Sequence, residues 1–204
     1  MRVERIQEQI EEAKAVERRT GMLYRAVVNL AKQNGVNIST LQAGKVTDFV
    51  VAYIEQAPAI MMLVEESALT SGEQASVRPI LDAIEDFFLA SDDIIPDHIA
   101  LAGLLDDAYL AHTLLAAISG QCESQSGKSL LPIGACESNS FIRRLIGEPF
   151  VSMLDEHVSK TLESVRETKS IMQMLVALGQ ITLPPMRGPI RGVARVTEIT
   201  GVHI

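Results

Sequence analysis

The chain has no tryptophan, and its aromatic residues amount to only 4% of 204 positions. A two-sheet sandwich draws heavily on aromatic and β-branched strands, so this shortage counts against one. A core this poor in aromatics must rely on Leu, Ile, Val, Ala and Met, which suits helices packed at close range. Cysteine is also scarce. Cys122 and Cys136 are the only two, too few for a disulfide framework and without the nearby His cluster that a zinc site needs. Basic residues are almost missing from the middle of the chain: residues 48–119 hold thirteen acidic side chains against a single basic one, Arg78. Such a surface repels phosphate backbones and excludes nucleic-acid binding through that region.

Long uninterrupted apolar runs are absent as well. The most apolar stretch of the first half, Phe49 to Val64, is broken by Glu55, Gln56 and Pro58, which argues against a conventional membrane span. The N-terminal stretch MRVERIQEQIEEAKAVERR is charged throughout and lacks the apolar segment of a signal peptide. Together these features predict a soluble, cytoplasmic chain with reduced thiols, though they leave peripheral membrane contact open.

Hydrophobic residues make up 47% of the chain, enough for one domain with a substantial core. Their spacing is helical. Val3, Ile6, Ile10, Ala13 and Val16 recur at intervals of three and four, and the pattern thickens from Met22 to Ala31, so residues 2–33 read as one long helix ending at Asn34-Gly35. A second helix begins after Ser39-Thr40 and runs to about Thr70, with Pro58 either kinking or dividing it. A third covers about 74–90 after the Ser71-Gly72 breaker. A turn at 92–98 leads to a helix from Leu104 to Ser119. Residues 120–138 read as a Gly/Ser-rich loop, long for a compact domain. Helices resume at about 139–147 and 149–178, the last amphipathic and suited to pairing with the N-terminal helix.

The fold class expected is therefore all-α: a multi-helix bundle over 1–178 with an Asp/Pro/Gly helical hairpin at its centre. Past Gly179 the composition turns to Pro and Gly and then alternates, which predicts an extended C-terminal tail over 179–204. Arg187, Arg191 and Arg195 give that tail a basic character, and they are candidate contacts for a protein partner.

Several familiar motifs fail on their residues. Ser126-Gly127-Lys128-Ser129 looks like the end of a phosphate-binding loop, but Cys122 stands where the first glycine belongs, and a helix precedes it where a strand is needed. None of His98, His112, His157 and His203 follows a Glu by three positions, as di-iron chemistry in a bundle requires. A nucleophile elbow is absent.

One constellation stands out. Residues 92–107 read Asp-Asp-Ile-Ile-Pro-Asp-His-Ile-Ala-Leu-Ala-Gly-Leu-Leu-Asp-Asp. The acids Asp93, Asp97, Asp106 and Asp107, with Ile95, Pro96, Ile99 and Gly103, keep a spacing that resembles the YkvA-like family of bacterial domains of unknown function. Ser91 and Ala100 stand where that pattern has prolines. The resemblance covers about residues 75–118. It implies a small helical hairpin and carries no reaction with it.

The acids have three further readings, one of which is an acidic patch that binds a protein partner. Carboxylates in the first turn of a helix accept orphan backbone N–H groups and favour the positive end of the dipole. Alternatively, Asp93, Asp97, Asp106 and Asp107 converge on Mg²⁺ or Ca²⁺, which would relieve their mutual repulsion. Acid–base catalysis by paired carboxylates needs pKa values driven apart by burial, and no substrate-binding signature accompanies these.

The function expected is a non-catalytic binding or regulatory module acting through protein–protein contacts or homo-oligomerisation. Its rivals are a divalent-metal-dependent enzyme or metal-binding protein centred on the Asp cluster, and a peripheral membrane-associated protein using the apolar stripe around Met61 and Met62 or the tail.

Overall fold

A computed structural model describes residues 2–33, 37–72, 74–89, 101–127 and 135–167. Among the described residues there are seven helices and no strand: α1 (Arg2–Thr20), α2 (Met22–Gln33), α3 (Thr40–Ser71), α4 (Gln74–Leu89), α5 (Leu104–Ser126), α6 (Ala135–Ile146) and α7 (Phe150–Glu167). The all-α expectation holds. The tail, with Arg187, Arg191 and Arg195, lies outside the described residues.

The sequence suggested a single helix over 2–33, but the chain bends at Gly21. Its φ of +59° is a left-handed conformation that glycine adopts without the usual side-chain penalty. The Glu17 carboxylate reaches across the bend and accepts from the backbone N–H groups of Leu23 (2.8 Å) and Tyr24 (3.1 Å). Those are first-turn donors of α2 that would otherwise lack partners.

Helix α3 starts where Ser39 predicted. The Ser39 hydroxyl accepts from the Gln42 N–H at 3.2 Å, while the Gln42 side chain accepts from the Ser39 N–H at 2.9 Å. This reciprocal box satisfies two donors at once. The helix continues unbroken through Pro58, so the proline does not divide it.

Helix α5 extends past the expected end at Ser119 to Ser126, and Gly127 closes it with φ +71° and its N–H donating to the Glu123 carbonyl. The glycine of the apparent phosphate-loop motif is thus a helix stop. Residues 120–126 and 135–138, expected to be loop, are helical; residues 128–134 lie outside the described part. The loop composition misleads because Ser and Gly are tolerated in a helix held by packing at its other positions.

The core forms around α3 and α5. Helices α1 and α2 pack on α3, and α1 also reaches α4. Helix α5 packs on α3, α4, α6 and α7. Accordingly α5 is apolar nearly all round, with Leu104, Leu105, Ala108, Leu110, Ala111, Leu114, Leu115 and Ile118 buried. Helix α7 buries Val151, Leu154, Val158 and Val165 along one stripe. Its main neighbour is α5 and not the N-terminal helix, because that stripe faces the broader apolar surface. One aromatic pair, Phe49 and Phe141, joins α3 to α6 edge to face at 5.3 Å.

Candidate functional site

The polar side chains of α5 and the helices around it form a connected network among the described residues. Buried polar groups must find partners inside the fold, and here they find them across helices. His112 sits on the α5 face turned to α3. Its Nε2 lies 3.0 Å from the backbone carbonyl oxygen of Tyr53, and the two rings stack with centroids 4.2 Å apart. A carbonyl only accepts, so Nε2 carries the proton. Burial holds the imidazole well below its usual range, at about 4, partly offset by the bond to Tyr53. The ring is therefore neutral at ordinary pH.

Tyr53 ties α3 to a third helix. Its hydroxyl donates to the Asn139 side-chain oxygen on α6 at 2.9 Å. Burial pushes this phenol well above its ordinary pKa, with a smaller contribution from Tyr109. Tyr109, three residues before His112 on α5, turns toward the rim. Its hydroxyl donates to Asp155 on α7 at 2.8 Å and accepts from Arg143 on α6 at 3.3 Å. Arg143 and Asp155 also form an ion pair. Three helices thus meet on the Tyr109 oxygen. The Tyr109 phenol is raised, first by burial and then by the bond to Asp155.

At the outer end of this network the α6–α7 corner is built from exposed residues. Phe150 and Met153 are 41% and 49% exposed and lie three positions apart at the start of α7. Arg143 and Arg144 are exposed on the last turn of α6. Glu148, between the helices, accepts from the Ser152 N–H at 3.2 Å and from its hydroxyl at 2.6 Å, fixing the first turn of α7.

The acids singled out in the sequence divide into two groups. Asp93 and Asp97 lie outside the described residues. Asp106 and Asp107 occupy the first turn of α5, where the helix dipole favours negative charge. They are only 1% and 3% exposed, and each is engaged by polar or electrostatic partners. The N-cap itself is Gly103, which has no side chain to cap with. Among the described residues, no three His, Cys, Asp or Glu side chains gather closely enough to hold a metal ion. The hairpin implied by the YkvA-like spacing would join α4 to α5. These two helices do pack together, and residues 90–100 between them lie outside the described part.

The apolar stripe considered for membrane contact is split by the fold. Met61 is buried in the core, while Met62 is 45% exposed and accepts a contact from the Gln7 amide at 3.4 Å. By length and composition the window Thr40–Thr70 of α3 is apolar enough to cross a bilayer, but half of it is buried against other helices. Arg78, the lone cation of the acidic middle, pairs with Asp82 at 2.5 Å and with the buried Glu85 at 3.0 Å.

Sequence reasoning did not find Tyr53, Asn139, Arg143 or Asp155. The one available signal was an aromatic-poor chain that nevertheless places Tyr at 53 and 109 inside apolar stretches. A Tyr in such a stretch needs a partner for its hydroxyl.

Comparison with family models, with curated proteins and with solved structures finds no match for this chain.

Proposed function

We propose that the chain is a non-catalytic helical binding or regulatory module that works through protein–protein contacts at the α6–α7 corner. The observation that carries this reading is the exposure of Phe150 and Met153 three positions apart at the start of α7, with Arg143 and Arg144 exposed on the last turn of α6. Aromatic residues, Met and Arg are the types enriched where proteins meet. The corner is also held in place, since Asp155 and Arg143 are tied to Tyr109. A surface ordered before binding loses less entropy when a partner arrives. Arg187, Arg191 and Arg195 in the tail supply a second set of contacts for an acidic partner surface in this reading.

The test compares the wild-type chain with a Phe150→Lys/Met153→Lys variant in affinity capture from the native host. The expected result is loss of a captured partner with a thermal melt within a few degrees of wild type, because both side chains are about half exposed at the start of α7. An unchanged partner set removes the α6–α7 corner from the mechanism. A chain lacking residues 180–204 asks the same question of the tail.

A further inference from the structure

The bend at Gly21 conserves almost all the hydrogen bonding of a continuous helix. The Gly21 N–H donates to the Glu17 carbonyl at 2.7 Å, and the Arg25 N–H donates to the Gly21 carbonyl at 3.0 Å. Both are the i to i−4 bonds of an uninterrupted helix. Only the donors of Met22, Leu23 and Tyr24 fall between them, and the last two are taken by the Glu17 carboxylate. Straightening the joint would exchange two side-chain bonds for three backbone bonds, a net gain of one.

The apolar register also runs through the bend. Val27 follows Ala13 by two heptads, and Ala31 follows Ile10 by three, so α1 and α2 share one seam. The seam positions flanking the bend are Glu17, Thr20 and Tyr24, and of these Glu17 caps α2 in the bent form. The straight helix is thus a second form open to the sequence, with the bent pair favoured by the Glu17 cap.

A straightened helix would carry α1, roughly 28 Å long at 1.5 Å per residue, away from its own α3 and α4. Val3, Ile6, Ile10 and Ala13, all buried in the bent form, would then face water. The surface complementary to them is the α3–α4 seat that a second copy vacates in the same movement. We propose that Glu17 and Gly21 form a two-state joint through which α1 seats on α3 and α4 of a second copy, giving an exchanged dimer. Every contact α1 makes at home is remade on the partner, and only the joint changes, which is the condition for exchange at low cost. The inference rests on α1 and stands apart from the α6–α7 corner, so either can fail without the other.

Gly21→Ala tests the joint. A Cβ at Gly21 would meet nothing within 4 Å, so the substitution acts on the φ of +59° and not through a clash. Alanine disfavours the bend and favours the straight helix. The readout is the Lys14–Glu55 ion pair, which joins α1 to α3 at 2.5 Å and can be captured by a zero-length carbodiimide cross-link. Copies of ordinary and heavy-nitrogen isotope are mixed in equal parts in urea, refolded together and cross-linked.

In the wild type most linked peptides are expected to be of one isotope and a measurable minority to carry both, from the straight form. For Gly21→Ala, light scattering should show a dimer, and about half of the linked peptides should carry both isotopes, as random pairing of exchanged copies requires. Glu17→Ala keeps the glycine but removes the two bonds to α2. It should shift the same way to a smaller extent, and it decides the matter if Gly21→Ala does not fold. A monomeric variant, or a dimer whose linked peptides stay isotopically pure, overturns the exchange.

Discussion

His112 is neutral in the folded chain because the bundle gives its ring no water and one acceptor, the Tyr53 carbonyl. The consequence for stability has a definite sign. Unfolding returns the imidazole to its ordinary value of 6.5, whereas in the fold it sits at about 4. Between those values the unfolded chain binds a proton that the folded chain refuses, so stability falls as pH drops through that window and levels off below it. The span corresponds to about 3 kcal/mol at most. A His112→Gln variant keeps an N–H donor for Tyr53 and has nothing to titrate. In urea denaturation from about pH 7 down to about pH 4, the wild type should lose stability relative to the variant. If the difference between the two stays flat across that range, the burial argument fails.

At the scale of elements, helix ends are where the sequence speaks most directly. The Ser39 and Gln42 side chains form the start of α3 from residues three apart, so a local pattern contains the whole structure. Ser39→Ala should cost about 1 kcal/mol of unfolding free energy, read by chemical denaturation; a loss close to zero would mean that packing alone fixes the start of α3. Gly72 likewise ends α3 as its neighbours imply. Gly21 was not legible, because a single glycine inside a continuous apolar register is tolerated in helices, and only the long-range seating of α1 on α3 and α4 distinguishes bend from tolerance. The end of α5 was missed for the opposite reason. Residues 120–126 have loop composition, yet they continue a helix nucleated by the buried turns before them. The network of the site was least legible of all. Tyr53 meets Asn139 and His112 across 86 and 59 residues, and no periodicity within a window reports such a pairing. Of the sequence's own site candidates, Asp106 and Asp107 fell in the first turn of α5, where their proximity to Gly103 had placed them.

Seen whole, the molecule has a centre and a periphery with different stabilities. Helix α5 is packed on four neighbours and α1 on two, α3 and α4. A side-chain ion pair, Lys14 with Glu55, joins α1 to its seat, and its lysine is raised by Glu11 first and Glu55 second, so part of that charge is already satisfied within α1. Opening α5 exposes the core of every helix it touches and amounts to global unfolding. Opening α1 exposes one stripe and leaves α5 in place. Native-state hydrogen exchange should therefore show the amides of Ala108, Ala111 and Leu114 exchanging only with the full urea dependence of unfolding. Ile6, Ile10 and Ala13 should exchange roughly 10- to 100-fold faster, through an opening with a shallower urea dependence. If α1 and α5 exchange with one free energy and one urea slope, the bundle opens as a single unit. In that case α1 has no independent motion, and exchange between copies would require global unfolding.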